Sequence, residues 1–324
     1  MTTVPAAPPP QPYRWALSRA RAGTPPDRLG SLAEGAVRPR LWYLPELTVC
    51  TGKVLARSGG ADLCFVGRSL DSMYDLLTGA FEGATREGLL RRLPLSLRSH
   101  PEPGPDHTAR LREHLGAAGL APHDLARRPR PVALVDLVSG GGTYDALFAA
   151  LADWVRESRE PWPVVRRKLR FLGVTSRGRT SPHTWRWRQH TAGGWARALP
   201  AGHVSGVSLD PWVWSYLGND QAKLQPSFPP QRWFDAYAAE PWHGPDLPSA
   251  LAESLALVEA GRGRPVREEL VRVISREPGL AHREVRALLA PLRGRATSAS
   301  RPRAGSRARS GPRRRQRSCR GTPG

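Results

Sequence analysis

Two rhythms of apolar residues alternate along the chain. Apolar runs recur at Leu63–Val66 and at Val132–Val138 with one carboxylate inside, and Lys168–Ser176 and Val204–Asp210 are further strand candidates. Runs of this length predict strands buried on both faces of a parallel sheet. After two of them the spacing changes to one apolar residue every three or four. Asp71–Phe81 places Met73, Leu76, Leu77 and Ala80 on one helical face, and Asp145–Val155 does the same with Leu147, Leu151 and Val155. The chain therefore contains two strand–turn–helix units. His107–Ala117, Ser249–Ala260, Val266–Arg276 and His282–Leu289 predict further helices, and Val266, Leu270, Val273 and Ile274 form one apolar stripe. Short strands are predicted at Leu41–Leu44 and Val49–Val54. The alternation of Trp185, Arg186, Trp187 and Arg188 predicts a strand with a Trp face and an Arg face. His123–Arg130 is expected to be a basic connector. The expected fold is α/β, a parallel sheet flanked by helices. Residues 1–29 form a disordered Pro/Arg-rich lead-in and 30–245 an α/β domain with a small hood. Residues 246–292 form a short helical extension and 293–324 a disordered Arg-rich tail.

The turn after the second run is Ser139-Gly140-Gly141-Gly142-Thr143. A helix that starts there directs its free first-turn N–H groups and the positive end of its dipole into the loop. Glycines let a ligand approach the backbone, and phosphate is the guest that such amides favour. Asp136, at the carboxyl end of the strand, is placed where open α/β sheets carry ligand-binding groups, and it suits sugar hydroxyls. The other reading is a turn whose glycines serve tight packing, with no ligand.

Val135-Asp136-Leu137-Val138-Ser139-Gly140-Gly141-Gly142-Thr143 resembles the phosphoribosyl-pyrophosphate loop of the type I phosphoribosyltransferases. That loop has an apolar run, two adjacent acidic residues, an apolar residue and a small-residue turn ending in Gly-Thr. Here Leu137 stands where the second acidic residue is usual. The resemblance implies a phosphoribosyltransferase-like fold, with Ser139, Gly140, Gly141, Gly142 and Thr143 around a 5′-phosphate and Asp136 on the ribose hydroxyls. Gly67-Arg68-Ser69, after the upstream strand, resembles the family's pyrophosphate-binding loop. It implies Arg68 as a fork for the diphosphate, aided by Gly67 and Ser69. Trp212 and Trp214 resemble, faintly, the aromatic that stacks on the base; packing is the other reading. Mg²⁺ is implied by the resemblance alone.

Composition changes this picture at the margins. The 324 residues carry a formal charge of +21, and the last 32 hold eleven Arg and no acidic residue. A basic chain favours polyanions: phosphorylated metabolites, pyrophosphate, or nucleic acid held loosely by the tail. The three Cys are far apart, and the nine His, including His183 and His190, show no metal-ligand spacing. A Walker lysine and a Gly-x-Ser-x-Gly elbow are both missing. Without a signal-peptide pattern or a membrane-length apolar run, the expected place is the cytoplasm and no membrane partner is expected. Two functions follow as expectations. One is transfer of a phosphoribosyl group to or from a base with release of pyrophosphate. The other is a non-catalytic module on the same fold that senses a nucleotide or sugar phosphate or binds nucleic acid.

Overall fold

A computed structural model describes residues 9–19, 25–34, 36–84, 88–97, 105–179 and 186–294. Residues up to Gly294 form one compact unit; the remaining residues, the Arg-rich tail among them, lie outside the described set. So does His183. The helices are α1 Leu44–Arg57, α2 Asp71–Ala80, α3 Pro105–Ala117, α4 Pro122–Arg127, α5 Gly142–Glu157, α6 Trp162–Val165, α7 Pro211–Ser215, α8 Leu247–Arg262, α9 Arg264–Arg276, α10 Arg283–Ala287 and α11 Leu289–Arg293. The strands are β1 Asp62–Val66, β2 Leu90–Leu93, β3 Val132–Leu137, β4 Leu169–Ser176 and β5 Val204–Leu209.

All five strands are parallel, in the order β2-β1-β3-β4-β5. The α/β class expected from the apolar runs is therefore observed. Each strand splits its side chains between two cores. Leu63, Phe65, Ala133, Val135, Leu172 and Val174 enter one, with residues of α1, α2, α8 and α9. Cys64, Val66, Val132, Leu134, Leu169 and Phe171 enter the other, with residues of α3, α4 and α5. This is period-two alternation with both faces covered, so every residue of β1 is buried.

The segment expected as a helical extension packs into the first of these cores. α8 lies on α2 and α9 lies on α1. The α2–α8 crossing is close because it is built on glycine. A Cβ at Gly79 would stand 2.0 Å from the Val258 carbonyl oxygen, and one at Gly261 would stand 2.1 Å from that of Leu76.

Four expectations need correction. The strands expected at 41–44 and 49–54 are absent: residues 41–43 form a turn leading into helix α1, which holds the second segment. Leu47, Cys50, Thr51, Val54 and Leu55 are buried at helical spacing, and the Thr48 and Thr51 hydroxyls donate to the carbonyls four residues back (2.7 and 2.6 Å), so these β-branched residues suit a helix. The connector at 123–130 begins as helix α4. The strand expected at 185–190 is, in its described part, a 3-10 turn at Trp187–Gln189; Trp187 is buried against Gly173 of β4 instead of alternating on a strand face. The lead-in is ordered over residues 9–19. Arg14 donates to both oxygens of Asp75 (2.6 and 2.7 Å), and Leu17 is buried with Leu224 and Leu251.

Candidate functional site

The strand order reverses between β1 and β3, which are neighbours although β2 intervenes in sequence. Loops leaving such a pair diverge to opposite faces and leave a crevice outside the carboxyl ends of the strands. A cavity of about 740 Å³ occupies that place, within the usual range of roughly 300–1,000 Å³ for small-molecule sites. Its walls are Gly67–Ser69 after β1, Pro94–Leu97 after β2, Asp136–Tyr144 at the end of β3 and the start of α5, and Gln225–Phe228. Trp214, Gly218 and Asn219 complete the rim. The two glycine turns identified in the sequence thus converge on one cavity, although about 70 residues separate them in the chain.

The β3–α5 turn is held from behind. Tyr144 is fully buried, and its hydroxyl lies 3.0 Å from the carbonyls of both Leu134 and Leu172, one on each central strand. Trp187 backs the loop: a Cβ at Gly141 would meet its ring at 3.3 Å. Gly141 also has φ +96°, a left-handed conformation that other residues adopt only with strain, and it starts α5 with no capping side chain. Gly140 and Gly142 differ. Both have ordinary φ, and a Cβ on either would meet nothing within 4 Å among the described residues. Neither packing nor backbone conformation requires a glycine at these two positions.

Asp136 is nearly buried, 8% exposed. Its Oδ1 accepts from the Leu137 amide (2.7 Å), and no cation pairs with it among the described residues. Burial pushes its carboxyl up to about 8, with the amide pulling the other way. An acid in that state carries a proton near neutrality and can donate it in a hydrogen bond to a ligand oxygen. Leu137, where a second acid is usual in the resembling family, lines the cavity next to Gly218, where its Cδ2 would be 3.0 Å from an added Cβ. Arg68 donates to the Gln225 carbonyl (3.0 Å), and burial lowers its pKa, with Asp71 opposing. Among the described residues Arg68 and Asp136 are the only charged side chains in the cavity wall.

Trp214 is on the rim with its indole Nε1 donating to the Val174 carbonyl (3.1 Å). Trp212 is 80% exposed and is not part of the wall; its amide is capped by Asp210 (2.9 Å). Among the described residues no group of three His, Cys, Asp or Glu could hold a metal. A Mg²⁺ ion in the cavity would find one protein carboxyl, Asp136, and would depend on ligand phosphates for the rest of its shell. Among the described residues no helix is long and apolar enough to cross a membrane.

Two walls carry no signal in the sequence. Pro94–Leu97 and Gln225–Phe228 have neither glycines nor a period, and they reach the site by packing against each other, the Ser96 amide donating to the Phe228 carbonyl (3.0 Å). No family model, no curated protein and no solved structure matches the chain.

Proposed function

We propose that this chain is a phosphoribosyltransferase-like protein whose cavity binds phosphoribosyl pyrophosphate and supports phosphoribosyl transfer to or from a base. One observation carries the reading: Gly140 and Gly142 leave open space at the start of a 16-residue helix, on the wall of a cavity. A tight-packing turn would have used that space.

In this reading the amides at the start of α5 hold the 5′-phosphate. Asp136, which has no cationic partner among the described residues, takes ribose hydroxyls through the carboxyl oxygen that the Leu137 amide does not occupy. Arg68 and the backbone of Gly67–Ser69 hold the departing diphosphate, and Trp214 offers a ring face toward the base. Such a reaction needs positioning and stabilisation of negative charge on the leaving group more than it needs a nucleophile. Mg²⁺, when carried in on the diphosphate, would add charge neutralisation.

A second reading, binding without turnover, is favoured by Leu137, which removes one carboxylate from the place where the sugar would lie. Calorimetric titration and a pyrophosphate-release assay separate the two. The transferase reading expects phosphoribosyl pyrophosphate to bind, Gly140→Val or Gly142→Val to weaken it at least tenfold, and pyrophosphate to appear with a suitable base. Binding with no release across a panel of purine and pyrimidine bases would leave the sensing module. Absence of binding would remove both.

A further inference from the structure

A second cation lies behind the loop that follows β1. Lys223 is buried, and its Nζ donates to the Leu217 carbonyl (2.9 Å), to Gln221 Oε1 (2.6 Å) and, at the outer limit, to the Ser69 carbonyl (3.5 Å). The ammonium has three donors and meets three neutral oxygens. Among the described residues no carboxylate lies within ion-pair distance of it.

The surrounding acids are already engaged. Asp75 takes Arg14 in a forked pair, and Asp71 lies 3.6 Å from both Arg14 and Arg92. Glu253 accepts from Tyr43, from Tyr216 (3.0 Å) and from Gln221 (2.7 Å). Arg68 resembles Lys223 in this respect, since its guanidinium is held by a backbone carbonyl. Arg14, Arg68, Arg92 and Lys223 therefore face Asp71, Asp75 and Glu253, which leaves one positive charge in excess. A buried charge without a counter-ion is costly. Of these four, the two cations that lack a carboxylate among the described residues are the two that touch Gly67–Ser69, one as Arg68 itself and one through the Ser69 carbonyl.

The Lys223 partners also belong to two different walls. Ser69 lines the cavity, and Leu217 precedes Gly218, which lines it from the π-turn Tyr216–Asp220. We propose that Lys223 is a positioning residue: it clasps the loop after β1 to the π-turn and lends positive charge to an anion bound at Gly67–Ser69. The inference rests on the reading of the cavity as an anion site.

The ammonium feels Asp71 and Asp75 from α2, Arg68 from the loop and Glu253 from α8. Burial lowers its pKa to about 8; Asp71, Glu253 and Asp75 oppose that fall and Arg68 adds to it. Anion affinity therefore drops as pH rises through that region. Asp136 titrates in the same region, so the test uses the full chain carrying Asp136→Asn. The probe is sulfate, whose charge is constant, titrated calorimetrically between about pH 6.5 and 9.5.

This parent chain is expected to lose roughly tenfold in sulfate affinity across that range. Adding Lys223→Arg should give binding with a flat profile. Adding Lys223→Met should give a flat profile and binding about tenfold weaker at the acid end. Should the Met variant fail to fold, the slope of the parent and the Arg variant decide. A flat parent profile, or an unchanged slope in the Lys223 variants, overturns the inference and leaves the cavity reading in place. A wild-type chain that binds neither sulfate nor pyrophosphate at neutral pH overturns both.

Discussion

The α2–α8 crossing and the β3–α5 turn are both built on glycine, for opposite reasons. At Gly79 and Gly261 the missing Cβ is used by the protein, since a carbonyl oxygen occupies the space. At Gly140 and Gly142 the same absence is used by none of the described residues. A glycine therefore points to a ligand only when the protein itself has no use for the room it leaves. The comparison separates two kinds of residue that look alike in sequence.

The largest effect should come from the crossing. Gly79→Ala or Gly261→Ala forces a Cβ into a backbone oxygen and should cost about 3 kcal/mol or more, or prevent folding, as chemical denaturation would show. Next comes Asp136. Its folded-state pKa lies above its unfolded value, so between about pH 4 and 8 the folded chain binds more protons and stability falls as pH rises. Asp136→Asn should remove that fall and raise Tm at pH 8 by several degrees, about 1–3 kcal/mol.

His114 tests the opposite sign. It is fully buried, neither ring nitrogen has a partner among the described residues, and burial lowers its pKa to about 4, with Arg110 adding to the shift. The unfolded chain binds the extra proton between about pH 4 and 6.5, so stability rises with pH in that window. His114→Phe should flatten the acid limb of a Tm–pH curve. Within the turn, Gly141→Ala should cost about 1–2 kcal/mol through its left-handed φ. Gly140→Ala and Gly142→Ala should change stability by less than about 0.5 kcal/mol. A large loss at either would mean that the space serves the fold, and the comparison would fail.

The fold was legible where a strand is buried on both faces, because β1, β3 and the centre of β4 are then largely apolar runs. It was illegible at α1, where Thr48, Thr51 and Val54 carry strand propensity but pack at helical spacing. Residues 9–19 were missed because isolated contacts fix them, chiefly Arg14 with Asp75 and Leu17 among Leu224 and Leu251, and no periodicity announces such contacts. The site was half legible. Glycines marked the turns after β1 and β3, and the cavity brings both together. Gln221, Lys223 and Gln225 were missed because their polar alternation is not distinguishable from that of an exposed loop until α2 and α8 close around it.

The Arg14 contact has a practical bearing on how the protein is handled. A chain trimmed to start at α1, as a Pro-rich leader would invite, loses the guanidinium that neutralises Asp75 and shares Asp71 with Arg92. Two acids inside the first helix after β1 would then be left nearly unpaired, a few residues from the loop that carries Arg68. Shortening the leader should therefore loosen the cavity from a distance, and a fragment that looks tidier on paper should be the poorer sample at the bench.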